Sequence, residues 1–306
     1  HVFYLTRVPS PAIIAQAFKD VKPAIVIAVP LVIEKIIRKK VFPQIQNTKV
    51  KLLMKMPGVG KKVKKRICEQ VYQAFGGNLY EVIIGGAALN QEIESFLKDI
   101  DFPFTVGYGA TECAPIITYS DWHDFVPMSC GREVVHMEVK IDSENPETVP
   151  GEILARGLNV MLGYYKNDEA TAQTIDKDGW YHTGDLGLMD KGGNVFIKGR
   201  SKNMLLGPNG QNIYPEEIED KLNSMTFAME SVVVQRDGKL VGLVHPDFDE
   251  VQAMGLSRDD LQSLMEENRV QVNANLPVYC KIAAIEIHDE EFEKTPKKSI
   301  KRYLYK

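Results

Sequence analysis

Two neighbouring stretches decide how this sequence is interpreted: Gly179-Trp180-Tyr181-His182-Thr183-Gly184-Asp185-Leu186-Gly187, and after it Gly199-Arg200-Ser201-Lys202. Gly184 allows a sharp backbone turn because it has no Cβ atom, and we expect that turn to present Asp185 at an open surface. A carboxylate held in this way accepts hydrogen bonds from the two hydroxyls of a ribose. The guanidinium of Arg200 carries a fork of donors that suits the oxygens of the same sugar or of a phosphate. These residues predict a nucleotide site; the alternative is an ion pair internal to the domain.

A second stretch, Tyr108-Gly109-Ala110-Thr111-Glu112, places a flat ring, a hydroxyl and a carboxylate close together. These groups suit base stacking, a phosphate contact and a Mg²⁺ ligand, respectively. The alternative for Thr111 and Glu112 is an ordinary helix N-terminus with a threonine cap and an acidic first turn. The alternative for Tyr108 is a core aromatic residue.

The first part of the chain predicts an α/β fold with a parallel sheet. Residues 2–5 and 24–29 are apolar and read as buried strands, while 10–20 and 31–41 show the character of helices. Alternation of strands and helices at this spacing favours a parallel sheet covered by helices. A further strand, Tyr80 to Ile84, runs into the turn Gly85-Gly86, where the carboxyl end of a strand favours ligand binding.

The remainder predicts a small antiparallel β subdomain followed by a small α+β unit. Residues 134–141 and 151–156 alternate in polarity and supply the antiparallel strands. The predicted elements after Arg200 are a helix with Pro215 at its first position, a hairpin over 231–244 around Asp237-Gly238, a helix from the capping box Ser257/Asp260 to about Asn275, and a strand over 282–287. We therefore expect two domains, residues 1–200 and 201–306.

Composition excludes some classes of function. The chain has 306 residues, of which 25% are charged, and its net charge is −4. A nucleic-acid-binding protein usually carries a clear basic excess, so no nucleic-acid partner is expected. The four cysteines form no CxxC pair, so neither a zinc site nor a disulfide framework is indicated, and a cytoplasmic location is expected.

Basic residues crowd the stretch 35–66, which contains few acids. One interpretation is peripheral contact with an anionic membrane surface, to which each basic residue adds about 1 kcal/mol. A second is attraction of the phosphates of a soluble ligand such as CoA. A solvated helical face is the third, and the sequence leaves all three open.

Taken together, these motifs resemble the adenylate-forming (AMP-binding) superfamily, most closely its long-chain fatty acyl-CoA synthetases. The motifs that carry the resemblance are Gly85-Gly86-Ala87-Ala88-Leu89, the segment 108–112, Gly151-Glu152-Ile153, Leu162-Gly163-Tyr164-Tyr165, the two stretches quoted first, and Asn212-Ile213-Tyr214-Pro215-Glu216-Glu217-Ile218-Glu219. The resemblance implies an ATP- and Mg²⁺-dependent ligase that forms an acyl adenylate from a fatty acid and then transfers the acyl group to CoA. Two alternatives stay open: a ligase that loads a carrier-protein thiol, and a non-catalytic nucleotide-binding homologue.

The resemblance also implies roles for individual residues. Nucleotide-binding positions are Gly85, Gly86, Ala87, Tyr108, Gly109, Thr111, Asp185 and Arg200; Glu112 is the Mg²⁺ ligand, Thr111 and Glu112 are also catalytic, and Lys202 is the hinge of the small domain. His182 is expected to stabilise the turn rather than act as a base, because a substrate carboxylate is already ionised above its pKa of about 4.3.

Two departures from the family pattern stand out. The Ser/Thr/Gly-rich phosphate loop is absent and the chain opens at His1 without a Met, so we expect the C-terminal portion of a larger enzyme, inactive by itself. In the tail, Ser299 occupies the position of the usual catalytic lysine. Loss of one such contact costs on the order of 2–4 kcal/mol, and Lys298 is the candidate replacement.

Overall fold

A computed structural model describes residues 1–4, 11–45, 52–54, 56–208, 210–295 and 300–305. The chain forms two compact units. The first consists of His1–Glu138, Gly157–Leu162 and Lys191–Val195, and the second of Val139–Arg156, Gly163–Asp190 and Phe196–Lys306. The expected division into domains at residues 200 and 201 stays a prediction.

A three-stranded parallel sheet with accompanying helices is the main feature of the first unit. Its strands are β1 (Ile25–Ala28), β2 (Glu81–Ile84) and β3 (Phe104–Val106), in the order β1-β2-β3. Its helices are α1 (Pro11–Val21), α2 (Pro30–Ile36), α3 (Phe42–Ile45), α4 (Val59–Ala74) and α5 (Gln91–Asp99), with a π-helical segment, Ile37–Val41, between α2 and α3. The parallel register, with Val82 opposite Val26 and Phe104, confirms the predicted α/β class.

Two expectations for the start of the chain are wrong. Val2 and Tyr4 are 76% and 84% exposed and belong to no strand, and residue 5 lies outside the described residues. A strand needs a neighbour for its backbone hydrogen bonds, and no described strand pairs with residues 2–4. The strand predicted over 24–29 forms as β1, but Ile27 is 80% exposed, because β1 is an edge of the described sheet and only one of its faces is covered.

A smaller antiparallel sheet follows β3 directly. Its strands are β4 (Tyr108–Gly109), β5 (Ile116–Tyr119) and β6 (Arg132–Glu133). Between β4 and β5 the chain makes a short 3₁₀ turn, Thr111–Cys113. This turn carries the predicted phosphate and Mg²⁺ residues.

A four-stranded sheet, most of whose residues belong to the second unit, contains the predicted antiparallel pair. Its strands are β7 (Met137–Asp142), β8 (Gly151–Gly157), β9 (Tyr181–Met189) and β10 (Val195–Arg200), in the order β10-β9-β8-β7, and helix α6 (Asp168–Thr174) precedes β9. The expected sharp turn at Gly184 is instead a bulge inside β9, and Asp185 is only 9% exposed rather than placed at an open surface. Pairing with β8 keeps the segment extended, and Gly184 adopts the positive φ of 70° that the bulge requires.

The predicted small α+β part of the second unit is confirmed element by element. It contains β11 (Leu205–Leu206), β12 (Asn212–Ile213), α7 (Pro215–Asn223), β13 (Ala228–Arg236), β14 (Lys239–Pro246), α8 (Phe248–Ala253), α9 (Arg258–Ala274) and β15 (Ile282–Ile287). Pro215 opens α7, Asp237 and Gly238 make the hairpin turn, and Ser257 and Asp260 form the capping box of α9. Leu222, Val244 and Met265 are fully buried in its core.

A buried ion pair ties the tail to α7. The side chain of Glu219 on α7 is 8% exposed and that of Arg302 is 21% exposed, and the two are in direct contact. Glu219 also accepts a hydrogen bond from the backbone N–H of Val233 at 2.6 Å. Burial raises the pKa of Glu219 to about 7, and the guanidinium of Arg302 opposes that shift.

Replacing Arg302 with alanine should lower the free energy of unfolding by about 3–5 kcal/mol, because Glu219 is then left buried without its cation. Urea denaturation followed by circular dichroism measures the change. Arg258→Ala is the matched control: it removes an ion pair to Asp289 whose two partners are exposed, and it should leave stability nearly unchanged. An equal decrease in the free energy of unfolding in the two variants would show that the Arg302 pair stabilises the fold no more than an exposed ion pair does.

Candidate functional site

The turn after β2 places its backbone at the carboxyl edge of the parallel sheet. Gly86 has a φ of 88°, and both Gly86 and Ala87 are exposed. The N–H of Gly107, directly after β3, donates to the carbonyl of Ile84 at 2.9 Å. A Cβ atom on Gly85 would lie 3.4 Å from the Gly107 carbonyl oxygen. The Gly85–Ala87 backbone therefore lies beside the start of β4, at the edge where open α/β sheets bind ligands.

Tyr108 and Gly109 form strand β4 and are held by β5. Tyr108 is buried and pairs with Thr118. A Cβ atom on Gly109 would lie 2.1 Å from the carbonyl oxygen of Pro115, so only glycine permits this close approach of the two strands. Gly109 thus has a packing role that the sequence did not indicate.

The Thr111–Cys113 turn is not a helix N-terminus of the ordinary kind. The position before it is Ala110, which has no side-chain cap, and the turn ends at Ala114 with a φ of 51°. The N–H of Ala110 donates to the carbonyl of Pro115 at 2.8 Å, which closes the loop. The reading of Thr111 as a helix cap is therefore wrong. Thr111 is exposed and Glu112 is half-buried, so both lie at the surface of the first unit.

Glu112 fits a Mg²⁺ ion that is shared with a phosphate ligand. Within the described residues, no group of three or more His, Cys, Asp or Glu side chains converges as a metal site. Mg²⁺ needs no such group, because it commonly binds one or two carboxylates together with substrate phosphates and water. A single accessible carboxylate on a short turn meets that requirement.

In the second unit the structure brings Asp185 and Arg200 together. The Nε of Arg200 lies 2.8 Å from Oδ1 of Asp185, and its Nη1 donates to the carbonyl of Thr183 at 3.2 Å. The hydroxyl of Thr183 donates to the carbonyl of Ile153 at 2.7 Å and accepts from the N–H of Asp185 at 3.0 Å. The ion pair internal to the domain, which is the alternative to a nucleotide site, is thus present. The Arg200 side chain is nevertheless 59% exposed, so the arginine of the pair is accessible while the Asp185 carboxylate is largely buried.

Glu152 holds the bulge in place, a role that its residue type and position in the sequence do not predict. Its Oε1 accepts from the N–H of Gly184 at 2.8 Å, and its Oε2 lies 2.9 Å from Nδ1 of His182. His182 is therefore held by a carboxylate at the bulge, in keeping with a structural role. The only signal in the sequence was the motif Gly151-Glu152-Ile153, which gave no indication of its partners.

The hinge candidate lies in a short 3₁₀ segment, Ser201–Asn203. Lys202 is exposed, while the flanking Ser201 hydroxyl donates to the carbonyl of Gly184 at 3.1 Å. Asn203 donates to Glu216 on α7 at 2.7 Å. The catalytic candidate Lys298 and its neighbour Ser299 lie outside the described residues.

The candidates fall into two groups. The structure brings Asp185 and Arg200 together in the second unit, with Lys202 shortly after them. The turn Gly85–Ala87, the strand Tyr108–Gly109 and the pair Thr111/Glu112 lie in the first unit.

Comparison with known proteins gives consistent results. The family described as AMP-binding enzyme matches residues 1–165. A long-chain-fatty-acid–CoA ligase of Rattus norvegicus, ACSBG2, is 30% identical over 251 residues, which cover 75% of this chain and 36% of that protein. The 4-coumarate–CoA ligase 1 of Glycine max is 38% identical over 177 residues, which cover 54% of this chain and 60% of that protein.

A solved structure with the same fold is the O-succinylbenzoate coenzyme A synthetase MenE of Bacillus subtilis in complex with ATP and magnesium. It matches with a TM-score of 0.68 and 19% identity, over 96% of this chain and 54% of that one. The chain thus spans about a third of the length of ACSBG2 and about half of the length of MenE.

Proposed function

Because the chain belongs to the family of AMP-binding enzymes, we propose that the full-length protein is an ATP-dependent acid–CoA ligase. In its first step an acid carboxylate attacks the α-phosphorus of ATP, which gives an acyl adenylate and pyrophosphate. In its second step the thiol of CoA attacks the acyl carbon and releases AMP. The observation that carries the proposal is the Asp185–Arg200 pair, in which the bulge of β9 places a largely buried carboxylate against an exposed guanidinium.

We propose a contact with the nucleotide for each candidate residue according to its own chemistry. Asp185 accepts hydrogen bonds from the ribose hydroxyls, and Arg200 reaches the same sugar. The backbone of Gly85–Ala87 and the ring of Tyr108 border the adenine. Thr111 contacts the phosphates and Glu112 holds Mg²⁺. We propose residues 1–200 and 201–306 as the two domains, with Lys202 as the hinge between them.

Catalysis in this proposal consists of positioning and charge stabilisation. When bound, Mg²⁺ screens the negative charge of the phosphates against the incoming carboxylate. No general base is needed, because the acid is already ionised. His182 is proposed to stabilise the bulge through its contact with Glu152. Lys298 is proposed to stabilise charge on the carboxylate and α-phosphate during adenylation.

We propose a long-chain fatty acid as the substrate, supported by the name of the relative ACSBG2. The name of the coumarate ligase, which is also similar to this chain, makes an aromatic acid the competing substrate class. Incubation of the full-length protein with ATP, Mg²⁺ and acids of increasing length, with either CoA or a carrier-protein thiol, distinguishes these alternatives. Mass spectrometry should detect a long-chain acyl-CoA. An acylated carrier protein, or no thioester with any acid, would refute the proposal.

The proposed location is the cytoplasm, with peripheral contact to an anionic membrane through the stretch 35–66. None of the four cysteines, all of which lie within the described residues, forms a disulfide, as a reducing compartment favours. Helix α4 exposes Lys61, Lys62, Lys65 and Arg66 within its first two turns. Leu52 and Leu53, just before α4, are exposed apolar side chains that suit a lipid surface. Among the residues that the structure describes, no helix has the length and apolar character to cross a membrane.

Nucleotide affinity should depend on Asp185. Asp185→Ala in the full-length protein should weaken ATP binding by about 1.5–3 kcal/mol, the value of hydrogen bonds to a charged group. Isothermal titration calorimetry measures the change. Asp178→Ala, which removes an exposed carboxylate from the loop before β9, should bind ATP as the wild type does. Unchanged affinity in a folded Asp185→Ala variant would place the ribose elsewhere.

The tail should act in adenylation alone. Lys298→Ala should slow adenylation while thioester formation from supplied acyl adenylate stays nearly intact, because the small domain presents the lysine in one orientation only. Ser299→Ala, its neighbouring control, should have little effect. Separate assays of the two half-reactions measure both variants, and the opposite pattern would show that the charge has been assigned to the wrong residue.

A further inference from the structure

The Thr111–Cys113 turn is held from outside by a segment distant in sequence. Residues 157–162 belong to the same compact unit as the turn. The side-chain amide of Asn159 donates to the carbonyl of Cys113 at 2.6 Å and to the carbonyl of Ile116 at 3.0 Å. The backbone N–H of Met161 donates to the carbonyl of Glu112 at 2.7 Å.

These contacts matter because the turn is weak by itself. A 3₁₀ turn of three residues has poor internal hydrogen-bond geometry, and the chain leaves it through Ala114 in the left-handed region. The backbone carbonyls of the turn need hydrogen-bond donors, because a buried carbonyl without a donor costs folding free energy. Asn159 supplies two donors from one side chain, which a hydroxyl or a carboxylate cannot do.

The orientation of the Asn159 amide is fixed by its partners. Its two contacts are both carbonyl oxygens, so the amide nitrogen must face them, since a reversed amide would place oxygen against oxygen. The amide oxygen is buried and has no hydrogen-bond partner among the described residues. The desolvation free energy of that buried oxygen is offset by the two hydrogen bonds that the amide nitrogen donates.

We infer that Asn159 is a positioning residue, which fixes the Thr111–Cys113 turn so that Thr111 and Glu112 meet the phosphates and Mg²⁺ in one geometry. This inference rests on the proposed function. Asn159 touches the backbone of the turn and not the reacting groups, so it acts through Thr111 and Glu112. Its loss should impair the step that uses the phosphate chain of ATP and spare the step that does not.

The test compares three variants in the full-length protein: Asn159→Ala, Asn159→Asp and Asn159→Gln. Alanine removes both donors, aspartate replaces them with acceptors, and glutamine keeps them on a longer side chain. The kcat of acid-dependent exchange of pyrophosphate into ATP should fall by on the order of 100-fold in the alanine and aspartate variants, because the catalytic groups on the turn are displaced. The glutamine variant should recover part of this activity. The Mg²⁺ concentration for half-maximal rate should rise. Thioester formation from supplied acyl adenylate should stay within about twofold of wild type, because adenylate carries no pyrophosphate to be held.

Asn268→Ala is the matched control, because Asn268 is a buried asparagine whose side-chain amide, like that of Asn159, donates to a backbone carbonyl, that of Thr226 at 2.9 Å. It should lower the thermal midpoint without changing the Mg²⁺ dependence. Equal losses of both half-reactions in the Asn159 variants, an unchanged Mg²⁺ dependence, or failure of all three to fold would overturn the inference. Absence of exchange in the wild type with every acid would instead reject the proposed function.

Discussion

The geometry of Asp185 depends on one constraint in the sheet of the second unit: β9 has more residues than β8 between two of their paired positions. Glu152 pairs with Leu186 and Leu154 with His182, so Thr183, Gly184 and Asp185 lie opposite Ile153 alone. The excess is absorbed by Gly184 at positive φ, whose N–H is accepted by the Glu152 carboxylate. Without that bulge the register of β9 against β8 would differ, and the side chain of Asp185 would not contact Arg200.

In the first unit, too, a side chain from a distant segment stabilises irregular backbone. The chain turns at Ala114, also at positive φ, and a side chain from a distant segment satisfies the backbone groups that the turn leaves over. Glu152 supplies acceptors for the bulge, and Asn159 supplies donors for the turn. Thr111, Glu112 and Asp185 thus lie on irregular backbone that another segment fixes, as precise positioning of reactive groups requires.

The features that could be predicted from the sequence are those with a local cause. Pro215 at a helix start, Asp237-Gly238 between strands and the Ser257/Asp260 box each determine their own element, and each formed as expected. The features that could not be predicted depend on partners far along the chain. Residues 2–4 were apolar but have no described strand beside them, and the roles of Glu152 and Asn159 appear only when β8 and the Thr111–Cys113 turn are folded. The pairing of Asp185 with Arg200 was expected from their residue types, whereas the bulge that creates it depends on the register of β9.

We propose that these residues belong to an enzyme that activates a carboxylate with ATP. Acid-dependent exchange of labelled pyrophosphate into ATP by the full-length protein tests that claim most directly, because it reports reversible formation of an acyl adenylate without requiring CoA. We predict exchange that needs both Mg²⁺ and an acid, rises with the length of the acyl chain, and is unaffected by omission of CoA. Saturable binding of AMP with no exchange for any acid would contradict the account, and would identify the protein as a non-catalytic nucleotide-binding homologue.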